Sequence, residues 1–258
     1  MVPFIHVPSF HLFGKLAIEP FGVMVALGVL VGYHAALRHA KRLELDTRLL
    51  ADAIPVIVIV GIIMAHLVSV IFYFPERIAE HPILALINIT NGLSSFGGMI
   101  GGFVGGYIFF RRAGQSLLNY GDALSYGSVA GWILGRFGCA IVHDHPGKPS
   151  NFFLAVKFPE GARHDLGLYE MLYLILMMIV LISIRNMKRP FHGFYIALVL
   201  VMYAPARFFF DQLREVDKRY LGLTPGQYFS LSFIVIAAAI TAYGLKQRGR
   251  EKTAKVNA

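Results

Sequence analysis

The sequence has one cysteine, Cys139, and one tryptophan, Trp132, and only 15% of its 258 residues are charged. A single cysteine excludes a disulfide framework. So little charge excludes an ordinary soluble domain, in which about 25% of residues are charged. Acids are the scarcer sign, 15 against 24 lysines and arginines, and the formal net charge is +9. Apolar residues fill the place of the missing charge: 56% of the chain is hydrophobic and the mean hydropathy is +0.61. A basic, apolar chain suits either nucleic acid or anionic lipid, and the position of the charges decides between them. Trp132 and the phenylalanines read as lipid-facing or core residues.

Seven apolar segments, 17–37, 51–74, 93–110, 120–142, 168–184, 193–210 and 227–244, are long enough or nearly so to cross a membrane. The expected fold is therefore all-α: a polytopic membrane helix bundle in one integral-membrane domain spanning 1–258. The first segment lacks a basic leader and a cleavage site, so it is expected to be a span and not a removed signal peptide. Residues 1–16, with Phe4, Ile5, Phe10, Leu12 and Phe13, read as an interfacial arm. Basic residues collect after span one (Arg38, Lys41, Arg42, Arg48), after span three (Arg111, Arg112) and after span five (Arg185, Lys188, Arg189). The tail 245–258 adds Lys246, Arg248, Arg250, Lys252 and Lys255. With seven crossings all of these share one side, which the positive-inside rule makes cytoplasmic. The N-terminus is then outside and the C-terminus inside. Loops 143–167 and 211–226 are extracytoplasmic, and a nucleic-acid partner loses its support.

Polar groups within or at the edge of spans are costly and so informative. On the outer half stand His66, Arg136, His143, Asp144, His145, His164, Asp165, Tyr169, Glu170, Arg207, Asp211 and Arg214. The inner half has only His34 and Asp122 as candidates, which argues against a relay across the bilayer. Spacings of four and three put Arg207, Asp211 and Arg214 on one helical face. They form either an ion-pair ladder or an anion site in which a carboxylate orients guanidinium groups for bidentate contact with phosphate. Arg136 is deep enough to join them. In span three, glycines recur at 97, 101 and 105 and at 98, 102 and 106, a smooth stripe for close packing. The run His143-Asp144-His145 before Pro146-Gly147 admits three readings: a solvated loop, a proton acceptor, or a metal site with His164 and Asp165 nearby in the chain. Cys139 reads as a small buried apolar residue, with a redox or acyl-carrying role as the alternative.

Four stretches carry a resemblance. "GRFGCAIVHDHPGK", "SSFGGMIGG", "RHDLGLYE" and "YAPARFFFDQLREVDKRYLGLTPGQYFS" resemble, in order and spacing, the motifs of the prolipoprotein diacylglyceryl transferase family. The resemblance implies an enzyme of the bacterial inner membrane. It would move the diacylglyceryl group of phosphatidylglycerol to the lipobox cysteine thiol of a prolipoprotein signal peptide, forming a thioether and releasing glycerol-1-phosphate. The partners implied are phosphatidylglycerol, the prolipoprotein and membrane lipid. The active side would be extracytoplasmic, and no cofactor or metal is implied. Carried over, Arg136, Arg207, Arg214, Tyr169 and Glu170 match family positions, and Asp144 and Asp211 stand where the family has glutamate.

The departures are chemical. Phe96 stands where the family has a histidine, Cys139 where it has asparagine, His66 where it has arginine, and Phe21 where it has tyrosine. With no imidazole at position 96, His143 and His145 are the expected proton acceptors, with Arg136 and Arg214 as catalytic arginines. The expected substrate-binding set is Arg136, Asp144, Tyr169, Glu170, Arg207, Asp211, Arg214 and His66. The other function class left open is a retasked or non-catalytic protein of the same fold that binds phospholipid or lipoprotein.

Overall fold

The computed structural model describes residues 1–13, 16–88, 93–215 and 219–256. In chain order the helices are α1 (Pro20–Arg42), α2 (Thr47–Tyr73), the short α3 (Pro75–Glu80) and α4 (Pro82–Ile87), α5 (Ser95–Arg112), α6 (Leu117–Val142), α7 (Leu166–Ile184), α8 (Phe194–Gln212) and α9 (Pro225–Val256). Each of the seven longer helices falls on one of the seven apolar segments. Most ends shift by a few residues, but α9 runs on through the basic tail to Val256. Among the described residues, five helical stretches are long and apolar enough to cross a membrane: Pro20–Arg42, Thr47–Phe72, Leu166–Ile184, Phe194–Gln212 and Pro225–Arg250. Large apolar side chains such as Leu30, Ile59, Phe72, Phe103, Ile179 and Val235 point outward, as lipid-facing helices require. The chain is thus mostly helical, with the makings of a multi-pass membrane bundle.

The all-helical expectation needs one addition. The described residues include six short strands: β1 (Val2–Pro3), β2 (Phe10–Phe13), β3 (Leu16–Ile18), β4 (Pro146–Pro149), β5 (Val156–Phe158) and β6 (Gly161–Asp165). They form a four-stranded sheet in the order β1-β5-β6-β4 and a β2-β3 hairpin. β1 pairs parallel to β5, Val2 opposite Val156, so the start of the arm is a sheet edge. The segment between α6 and α7 is therefore ordered backbone, folded beside the helix ends that carry the polar residues.

The described chain forms two compact units, Glu44–Tyr120 and a larger one of Met1–Leu43 with Gly121–Ala258. In the smaller unit α2 packs on α5 along the glycine stripe. A Cβ at Gly101 would lie 2.6 Å from the Val60 carbonyl oxygen, so the stripe is a packing surface. In the larger unit α1 and α6 cross where Gly32 meets Gly127 and Gly131. Its buried core includes Tyr126, Val129, Leu174, Met177, Tyr195 and Tyr203. Asp122, the inner-half candidate, is fully buried and structural. Its Oδ1 accepts from Tyr195 N at 2.8 Å and its Oδ2 from Gly193 N and Arg189 Nη1, both at 3.0 Å. It satisfies the amides that open α8, groups that have no partner within the helix itself.

Candidate active site

Three helices of the larger unit meet at one carboxylate. Glu170, in the first turns of α7, is 1% exposed. Its Oε2 pairs with Arg136 Nε from α6, and its Oε1 accepts from Arg207 Nη1 of α8 at 2.5 Å. Arg207 Nη2 continues to Asp211 Oδ1 at 2.9 Å, and Arg214 Nε lies 3.4 Å from the same oxygen. The result is a row of alternating charge: Arg136, Glu170, Arg207, Asp211, Arg214. Isolated charges at this depth would be costly, and alternation offsets part of that cost. Three guanidinium groups and two carboxylates leave the row with a formal charge of +1.

Arg214 is not on the helical face that its spacing predicts. α8 ends at Gln212, and Arg214 lies beyond it in a bridge to Gly147. The backbone turn still brings Nε back to Asp211. Asp211 is itself held by residues that the motif comparison left without a role. The Thr224 hydroxyl donates to Oδ2. Thr224 N donates to Gln227 Oε1 at 3.0 Å, and Gln227 N donates to Thr224 Oγ1 at 3.2 Å. This is a reciprocal cap on α9, and the Thr-Pro-Gly-Gln order is its sequence signal. A Cβ on Gly226 would sit 2.7 Å from Asp211 Oδ2, so only glycine permits this approach.

The turn after α6 explains the histidine run. His143 has φ of 53°, a left-handed conformation that a residue with a Cβ holds only under constraint. The constraint is visible. His143 Nδ1 lies 2.5 Å from Asp165 Oδ2, and the ring stacks on Phe4 with centroids 4.5 Å apart. Asp165 Oδ1 meanwhile caps α7 by accepting from Leu168 N at 2.9 Å. The two expected acceptors are therefore not equivalent. The His143 side chain is 8% exposed, and its Nε2 is buried with no hydrogen-bond partner among the described residues. The His145 side chain is 30% exposed, with Nδ1 2.5 Å from Asp144 Oδ1.

His164 and Asp165 do not join a metal cluster with the run, as the third reading has it. Asp165 is committed to His143, and His164 Nδ1 lies 2.9 Å from the Tyr169 hydroxyl. Burial pushes the His164 imidazole below its ordinary value, which keeps a ring nitrogen able to accept from the phenol. Among the described residues, the donor atoms that do come together are those of Cys139, Asp144 and His145, within 4.8 Å of one another. Cys139 is 5% exposed, and its Sγ lies 3.8 Å from Arg136 Nη1. The thiol thus links the charge row to the turn. Of the remaining expected residues, His66 belongs to the smaller unit, where its Nε2 lies 3.0 Å from the Leu86 carbonyl. Phe96 is on α5, and its side chain lies outside the described set.

The chain is similar to known proteins over most of its length. Residues 8–243 match the family model of prolipoprotein diacylglyceryl transferase. The phosphatidylglycerol–prolipoprotein diacylglyceryl transferase of Staphylococcus haemolyticus is 30% identical over 249 residues, covering 92% of this chain and 87% of the relative. The enzyme of that name from Staphylococcus saprophyticus is 29% identical over 240 residues, 88% of this chain and 85% of the relative. That from Staphylococcus xylosus is 30% identical over 241 residues, with coverage of 88% and 85%. A family model matched over residues 8–243, with a relative 30% identical over 92% of the chain, means that this chain belongs to the prolipoprotein diacylglyceryl transferase family.

Proposed function

We propose that the chain transfers the diacylglyceryl group of phosphatidylglycerol to the thiol of a prolipoprotein lipobox cysteine, forming a thioether and releasing glycerol-1-phosphate. The observation that carries this reading is the row Arg136–Glu170–Arg207–Asp211–Arg214. Its formal +1 complements the single negative charge of a phosphodiester. Glu170 and Asp211 fix the planes of the guanidinium groups, so that phosphate meets oriented donors. In the reaction sulfur attacks the glycerol carbon that bears the phosphate. The carbon–oxygen bond breaks, and its electron pair stays on the phosphate oxygen. Phosphate charge grows in the transition state, and preorganised guanidinium donors stabilise that growth. The thiol must first lose its proton, because the thiolate is the nucleophile. The groups beside Arg136 that bear on this step are Cys139, Asp144 and His145.

The same reading places the protein in a bacterial inner membrane with seven spans. The basic residues after spans one, three and five and in the tail support a cytoplasmic C-terminus. The charge row and the turn at His143 then face the extracytoplasmic side. One observation favours a second reading. Phe96 carries no proton acceptor, so a lipid- or lipoprotein-binding protein without transfer would keep the charge row and lose turnover.

Expression in a bacterium depleted of its own transferase separates the two. The transferase reading expects lipidated, processed lipoproteins with the parent chain and unprocessed precursors with Arg136→Ala. Precursors that accumulate with the parent chain fully inserted would overturn it.

A further inference from the structure

The geometry points to a thiophilic divalent cation, zinc by its donor set, held by Cys139, Asp144 and His145 with its fourth position open to the lipobox thiol. The identity of that fourth ligand rests on the transferase reading; the three-residue site does not.

Sγ, a carboxylate oxygen and an imidazole nitrogen lie within 4.8 Å of one another. Around a tetrahedral zinc, donors at about 2.0–2.3 Å from the metal stand about 3.3–3.8 Å apart. The side chains of Asp144 and His145, 38% and 30% exposed, have room to make that adjustment, whereas Cys139 is fixed in the last turn of α6. Thiolate, carboxylate and imidazole together are a zinc donor set, and three protein ligands with one open position mark the catalytic type.

The backbone is shaped for it. The left-handed turn at His143 carries the next two residues back toward the end of α6. Asp165, Phe4 and Phe158 around the His143 ring hold that turn. His143 is thereby a positioning residue, and its buried imidazole has a use that needs no contact with substrate.

The charges also close. Zinc with the Cys139 thiolate, the Asp144 carboxylate and neutral His145 is neutral. An incoming thiolate makes the site −1, and Arg136, with Nη1 3.8 Å from Cys139 Sγ, offsets it. A thiol bound to the metal is deprotonated outright, so its proton leaves to water on the outer face. The metal-held sulfur then attacks the phosphate-bearing carbon, the carbon–oxygen bond breaks toward phosphate, and the neutral thioether is a weak ligand that departs. No protein base is consumed, which suits a chain with phenylalanine at position 96.

The test is a titration of the purified, chelator-stripped full chain with Co2+. One equivalent should bind, with a sulfur-to-cobalt charge-transfer band and the strong visible bands of four-coordinate cobalt. Cys139→Ser should abolish the charge-transfer band. His145→Gln, at a half-buried position with little folding risk, should weaken binding by at least about 100-fold, the upper end of what losing a hydrogen bond to a metal ligand costs. A lipobox peptide should intensify the charge-transfer band, and its Cys→Ser analogue should not. Stripped protein should lose transfer and Zn2+ should restore it. No stoichiometric thiolate-bound cobalt, or full transfer by stripped protein, overturns the proposal and leaves the transferase reading standing. Cobalt bound through Cys139 in a protein that transfers nothing supports the metal site and removes the transferase reading instead.

Discussion

Glu170→Gln is the sharpest perturbation of the charge row. Glutamine keeps the shape and a hydrogen-bond acceptor but removes the charge that Arg136 and Arg207 share. Both guanidinium side chains are largely buried, 16% and 17% exposed, against a carboxylate at 1%. Removing one partner of a buried ion pair costs about 3–5 kcal/mol, because the other is left uncompensated. For a chain of this length 1 kcal/mol moves the melting midpoint by about 2–4 °C, so a fall of roughly 6–20 °C is expected. A convenient reporter is Trp132, the only tryptophan, whose ring lies 4.6 Å from that of Tyr203 in the same core. Its fluorescence can be followed on heating in detergent. The double variant Glu170→Gln with Arg207→Met relieves one orphaned charge. It should melt above the sum of the single effects by about 0.5–3 kcal/mol of coupling. A Glu170→Gln protein that melts with the parent, or strict additivity in the pair, would refute the shared-carboxylate account.

Arg136→Ala and Arg214→Ala should each weaken binding of phosphatidylglycerol vesicles by about 2–5 kcal/mol while the protein still inserts; unchanged binding in both makes these arginines structural. Cysteine at Ser150 should react with an impermeant thiol reagent in intact spheroplasts, and protection there contradicts the orientation. Lys218, on the other predicted extracytoplasmic loop, 211–226, lies outside the described residues. Acid should destabilise the fold through His164, whose imidazole burial holds below the ordinary value of 6.5. The unfolded chain then binds its proton first as pH falls, so stability declines below about pH 6.5, and His164→Gln should flatten that slope. An acid limb unchanged in that variant would place the titration elsewhere.

The helices were legible because a long apolar run is a strong and local signal. The strands were not: β1 is two residues long, and its partner, β5, begins at Val156. Arg207 and Asp211 were legible as a pair because helical spacing is local. Glu170 as the hub of the row was not, since its two arginines come from separate helices. Asp122 shows the same limit, an acid on α6 that caps α8. The run at 143–145 shows another. Two histidines one residue apart look interchangeable in the sequence, yet Phe4 from the N-terminal strand region covers one and leaves the other accessible. Cys139 reads as a packing residue until the left-handed turn brings Asp144 and His145 back to it.

Diacylglyceryl transfer is read out by incubating the purified chain, supplied with Zn2+, with phosphatidylglycerol and a lipobox peptide and weighing the peptide by mass spectrometry. The expected product is a peptide heavier by one diacylglyceryl group, attached to sulfur, with one glycerol-1-phosphate released for each peptide modified and neither product with Arg136→Ala. Unmodified peptide from a protein that is folded by Trp132 fluorescence and binds the lipid would contradict it.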